Sequence, residues 1–105
     1  MDLDRLESCL AAFSVLSPTA FPVHHAQVFL LVAQRGFATY QEIEEALNLN
    51  NSSVSRTVHA LGQTTRKGGP GHGLLEVVRD PGEGRRYLVR LTAKGKALVR
   101  QLESI

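Results

Sequence analysis

The chain has 105 residues, 43% of them apolar, which suits one small hydrophobic core; the expectation is a single domain over residues 1–105 with no separate ligand-binding domain. Its one cysteine excludes an internal disulfide, and a net charge of +2 decides nothing until its distribution is known. No stretch approaches the roughly 20 apolar residues of a membrane span, and the start lacks the cationic and apolar segments of a signal peptide, so a cytoplasmic location without membrane attachment is the default.

Leu3, Leu6, Leu10 and Phe13 recur at i, i+3, i+7 and i+10, the spacing of an apolar seam along a short amphipathic helix. Cys9 lies beside that seam with Arg5 as its basic neighbour, and reads as a buried, inert thiol. Pro18 and Pro22 then break the chain. Residues 23–35 are apolar on most sides, interrupted chiefly by His24, His25 and Gln27, and stop at Gly36, the signature of a central buried helix. His24 and His25 point to different helix faces, while His59 and His72 fall in unrelated segments, so no metal site is expected.

Thr39-Tyr40-Gln41-Glu42 reads as a capping box, with the Thr39 hydroxyl and the Glu42 carboxylate each satisfying a free backbone N–H at a helix start. Ile43 and Leu47 share one inward face; Glu42, Glu44 and Glu45 make the remainder acidic, so this helix supports rather than touches a polyanion. Leu47-Asn48-Leu49 supplies a tight turn, because asparagine enters the left-handed region at modest cost. Asn50 can cap a second helix through Leu61, whose Val54, Val58 and Leu61 form the buried stripe. The opposite face carries Ser52, Ser55, Arg56 and His59 and no acid. Taken alone such a face is more often ordinary solvated surface. Hydroxyls and an amide near a helix start, with an arginine one turn later, also have the reach of base edges and phosphates in a major groove.

Residues 62–73 are glycine-rich but lack the lysine and hydroxyl placement of a phosphate-binding loop, so they read as a mobile linker in which Arg66 and Lys67 can touch phosphates. Residues 74–78 and 87–91 are β-rich runs joined through residues 79–86, whose Pro81, Gly82 and Gly84 signal a hairpin with a flexible basic tip. Its arginines either blunt an exposed sheet edge or send Arg85 or Arg86 into a narrow minor groove, and the neighbouring helix pair favours the second. Thr92 caps a final helix bearing Leu98, Leu102 and Ile105. Residues 1–50 carry two basic and six acidic side chains, residues 51–90 seven and three, and residues 91–105 three and one. The positive excess therefore begins with the second of the paired helices, as a footprint for a polyanion should. Ser52, Ser53 and Ser55 have no partnered histidine and carboxylate that the sequence can place, and there is no nucleotide loop, so neither an enzyme nor a cofactor is expected.

Residues 43–56, the hairpin over 79–90, and Leu91-Thr92-Ala93-Lys94-Gly95 together resemble the MarR-type winged helix-turn-helix transcription regulators. Those proteins carry a Ser/Thr-Val-Ser-Arg recognition segment, a wing reading Asp-Pro then Arg-Arg, and a Leu-Thr-x-x-Gly helix start. The likeness spans residues 22–102. It implies an α+β, mainly α fold: a winged helix-turn-helix with a two- to three-stranded antiparallel wing. It also implies binding of double-stranded DNA, with Asn51, Ser52, Ser53, Ser55, Arg56 and His59 in the major groove and Arg85 or Arg86 on the minor groove. A homodimer through the N-terminal and C-terminal helices is implied too, the alternative being that both apolar stripes pack within one chain. The chain departs from the pattern at Glu44, where a small residue is common, at Gly84, where an acid usually precedes the wing arginines, in the insertion over 62–73, and in stopping after its first post-wing helix, as a C-terminally truncated member would. The combined expectation is a sequence-specific regulator that occupies an operator, hence a repressor. The alternative is a winged-helix module that docks a protein partner or assembles a replication or excision complex.

Overall fold

The computed structural model describes residues 1–17, 19–63 and 71–105, with all of their side chains except those of Glu83 and Arg85. Its elements run α1 (Leu3–Ser14), α2 (Val23–Arg35), β1 (Phe37–Ala38), α3 (Tyr40–Leu47), α4 (Asn51–Leu61), β2 (Leu75–Asp80), β3 (Glu83–Leu91) and α5 (Ala93–Glu103). The three strands form one antiparallel sheet in the order β1-β3-β2. This is the expected winged helix-turn-helix, with β1 completing the sheet by pairing Phe37 with Arg90 and Ala38 with Val89.

Each helix boundary has a local cause. Asp2 caps α1, its Oδ1 accepting from the Asp4 and Arg5 amides at 3.0 and 3.4 Å. Gly36 ends α2 at φ +87°, a conformation that a side chain would strain, and its N–H donates to the Val32 carbonyl. Thr92 caps α5 by accepting from the Gly95 amide at 3.0 Å, while its hydroxyl donates to the Gly73 carbonyl at 2.5 Å. α2 is the buried centre that its apolar pattern predicts: Val28, Phe29 and Val32 are fully enclosed and meet Phe13, Ile43, Val54, Leu61, Leu75 and Val89 in one core. Each such side chain contributes about 1.5–3 kcal/mol relative to exposure.

The alternative in which the leucine seam of α1 packs within the chain holds only for Phe13, which is buried; Leu3, Leu6 and Leu10 are 74, 42 and 50% exposed. Two expectations need correction. Cys9 is half-buried rather than buried, because it lies beside that uncovered stripe. The glycine-rich connection is not a free linker at its ends. Gly71 donates to Gln63 (2.9 Å), His72 to Ala60 (3.0 Å), Gly73 to Gly62 (2.7 Å) and Leu74 to Leu61 (2.7 Å), a backbone clasp that ties the chain to the end of α4. A Cβ at Gly71 would collide with the Gly62 carbonyl, so the close approach demands glycine there. Arg66 and Lys67 lie outside the described residues. Among the described residues no helix is long and apolar enough to cross a membrane.

Candidate nucleic-acid interface

The two helices of the motif are set by caps. The Thr39 hydroxyl accepts from the Glu42 amide at 3.1 Å, and Glu42 Oε1 accepts from the Thr39 amide at 2.8 Å, the full reciprocal box. The Thr39 amide bond first, and the nearness of the Thr39 side chain second, hold the Glu42 carboxyl below its ordinary range, with Arg35 and Arg86 adding to the effect. Asn48 turns the chain at φ 54°, ψ 47°, and the Leu49 amide closes the corner on the Glu44 carbonyl at 3.1 Å. Asn50 then caps α4, its Oδ1 accepting from Ser53 N at 2.8 Å.

α4 has two contrasting sides. Val54, Thr57, Val58 and Leu61 are buried, whereas Asn51, Ser52 and Arg56 are exposed, with Ser53, Ser55 and His59 half-buried between them. Asn51 Nδ2 donates to Glu44 Oε2 at 3.2 Å, so the unusual acid of α3 anchors the first residue of α4. His59 Nδ1 lies 2.7 Å from the Ser55 carbonyl, a contact in which the ring must donate, leaving Nε2 as its remaining polar atom. Thr57 is the residue that periodicity did not assign: its hydroxyl has no hydrogen-bond partner among the described residues.

The wing is longer-armed than its composition suggests. Ladder pairing runs out to Asp80 and Glu83, so the expected eight-residue tip shrinks to a turn at Pro81 and Gly82, where the Gly82 amide donates to Asp80 Oδ1 at 2.9 Å. Gly84 sits inside β3 rather than loosening a loop. Arg86, one of the two minor-groove candidates, donates through Nε and Nη2 to Asp80 Oδ2 at 2.9 and 2.5 Å. Arg79 reaches across the hairpin to the Gly84 carbonyl and the Tyr87 hydroxyl. Arg90 and Glu76 form a third cross-strand pair at 2.6 Å. None of these partnerships was read from the sequence, because each joins residues whose adjacency depends on strand register. Between α3, His59 and the hairpin lies an open cleft of about 720 Å³ with Tyr40, Val77 and Tyr87 on its walls. Asn51, Ser52 and Arg56 are thus gathered on one exposed side of α4, and Arg86 of the wing lines the cleft beside His59.

No protein-family model matches the chain, and no curated protein matches it in sequence. Its path is nevertheless similar to solved structures. A mutant MarR from E. coli complexed with operator DNA superposes with a TM-score of 0.67 at 19% identity, covering 97% of this chain and 68% of that one. BpsR of Bordetella bronchiseptica, described with the regulation of its DNA binding by 6-hydroxynicotinic acid, gives 0.64 at 23% identity over 97 and 68%. The PcaV transcriptional regulator from Streptomyces coelicolor, complexed with its natural ligand, gives 0.63 at 27% identity over 97 and 67%. The chain therefore spans about two-thirds of the length of these solved chains. With capped α3, left-handed turn, α4 and three-stranded wing in place and these superpositions beside them, the protein has the MarR-type winged helix-turn-helix fold.

Proposed function

We propose that the protein is a sequence-specific regulator that binds double-stranded DNA as one domain, with α4 in the major groove and the wing on the minor groove. Asn51, Ser52, Ser53, Ser55, Arg56 and His59 read or fix the major groove, Arg85 or Arg86 contacts the minor groove, and Arg66 and Lys67 add phosphate contacts. The observation that carries this reading is the side of α4 from Asn51 to Arg56, which offers an amide, hydroxyls and a guanidinium to the outside while its other side is sealed in the core. The charge split supports it: +4 over residues 51–90 against −4 over residues 1–50. The solved MarR complexed with operator DNA supports it by analogy of fold.

Operator occupancy makes the protein a repressor, acting in the cytoplasm. The exposed leucines of α1 join with the end of α5 in a homodimer, so that two α4 helices meet half-sites about 34–36 Å apart. The test is a salt titration on duplex selected from a random pool, with mass measured in solution. The expected log–log slope is about −0.9 per neutralised phosphate, with a preference over random DNA of roughly a thousandfold or more. Binding that ignores salt, or a preference near unity, rejects the reading; a monomeric mass rejects the dimer alone.

A further inference from the structure

The register of the wing contains an irregularity that its sequence motif does not announce. Arg79 stands opposite Tyr87 while the next residue, Asp80, stands opposite Glu83, so Gly84, Arg85 and Arg86 occupy β3 between two adjacent β2 partners. A bulge of this size frees backbone groups from the ladder, and it holds one shape only if something else engages them.

Arg79 engages both ends. Its Nη1 donates to the carbonyl of Gly84, the residue at the turn-side end of the bulge, at 2.8 Å. Its Nη2 lies 3.4 Å from the hydroxyl of Tyr87, the first residue back in the ladder, and the guanidinium carbon is 5.5 Å from the centre of the Tyr87 ring. One planar fork thus spans the bulge from the facing strand. Asp80 fixes the flanking Arg86 from the turn side while its other oxygen holds the Gly82 amide. Arg85 is the middle residue of the segment so clamped.

We propose that Arg79 is a positioning residue of the wing: it sets the shape of the three-residue bulge and thereby places Arg85 against the minor groove, without contacting nucleic acid itself. The inference rests on the reading of the wing as a DNA contact. Lysine is a poor replacement, because one ammonium cannot reach the Gly84 carbonyl and stack on Tyr87 at the same time.

A double-mutant cycle on the full chain tests it, with duplex carrying the selected site, alongside thermal unfolding of each variant. Arg85→Ala is expected to weaken binding about tenfold, and Arg79→Ala nearly as much, with unfolding midpoints close to that of the native chain. In the Arg79→Ala background, adding Arg85→Ala is expected to cost less than about twofold, since the two residues act as one unit. Arg79→Lys is expected to behave like Arg79→Ala. Additive losses, or full affinity in Arg79→Lys, overturn the assignment, since either result makes Arg79 an independent phosphate contact. If the unaltered chain binds no duplex, the DNA reading fails and this inference falls with it. If it binds and the losses are additive, the DNA reading stands and only the role of Arg79 is lost.

Discussion

Arg56 and Thr57 are neighbours in sequence with opposite fates, and each supports a measurement. Arg56 is exposed one turn beyond Ser52, with no acid among the α4 side chains beside it. Arg56→Ala is expected to cost roughly 1–3 kcal/mol on the selected duplex and to relax preference at one base pair, as scored by competition among single-position variants of the site. An even loss across all variants would reassign it to a phosphate. Thr57 is fully enclosed with a hydroxyl that has no partner among the described residues, a group that burial penalises. Thr57→Val keeps the shape and removes the orphan, so the urea midpoint should rise, corresponding to about 1 kcal/mol. A lower midpoint would mean that the hydroxyl has a partner in solution. Val54, Val58 and Leu61 were legible from their spacing, but Thr57 was not, since a threonine at i+3 of that stripe fits the core edge as well as the surface.

At the scale of elements, legibility followed the range of the interactions. The capping box, the left-handed Asn48 and the cap at Asn50 each involve partners within four residues, so α3, the turn and α4 could be placed from sequence to within a residue. The wing could not. Pro81, Gly82 and Gly84 suggested a long loose tip, but the strands run up to a turn at Pro81 and Gly82, with Arg79, Asp80, Arg86 and Tyr87 finding partners across the hairpin. β1 is two residues long and carries no pattern of its own; its pairing with β3 makes it a strand. α5 offers a case where local preference and packing conflict. Alanine at position 95 would gain about 1 kcal/mol in helix propensity, yet its Cβ would strike the Leu74 carbonyl, backbone that the adjoining clasp and Thr92 hold in place. Overlap should win: Gly95→Ala is expected to lower stability by about 1–3 kcal/mol, measured by thermal unfolding. A stabilised variant would show that α5 can shift away from the clasp.

Over the whole molecule, histidines from two distant segments, His25 of α2 and His72 after the glycine-rich connection, meet at one ring, with His24 beside His25. Phe21 lies 5.7 Å from His25 and 5.6 Å from His72, and His24 is 4.6 Å from His25. Burial pulls His25 from 6.5 down to about 4, with His24 and His72 adding to it; burial and then Lys94 lower His72. Both are therefore favoured neutral in the fold. An unfolded histidine takes its proton near 6.5, so between that value and about 4 the unfolded chain binds more protons than the folded one. Stability is complete above that window and falls as pH drops through it. The urea midpoint is expected to decrease between about pH 7.5 and about pH 5, with a flatter profile in His25→Gln. A flat profile in the native chain would contradict the shared burial of these rings. The sequence held all three histidines but not their meeting, because His72 reaches α2 only through the clasp that follows α4.

That clasp has an architectural consequence. The Gly71 amide donates to the Gln63 carbonyl at 2.9 Å, so lengthening the connection between these two residues raises its closure cost only with the logarithm of its length, about 0.6 kcal/mol per doubling. A guest domain with neighbouring termini, added to that connection with Arg66 and Lys67 kept, should leave both the reading helix and the wing in register, giving a fusion that melts and binds duplex as the parent does. A reporter could be seated there without lengthening either end of the protein.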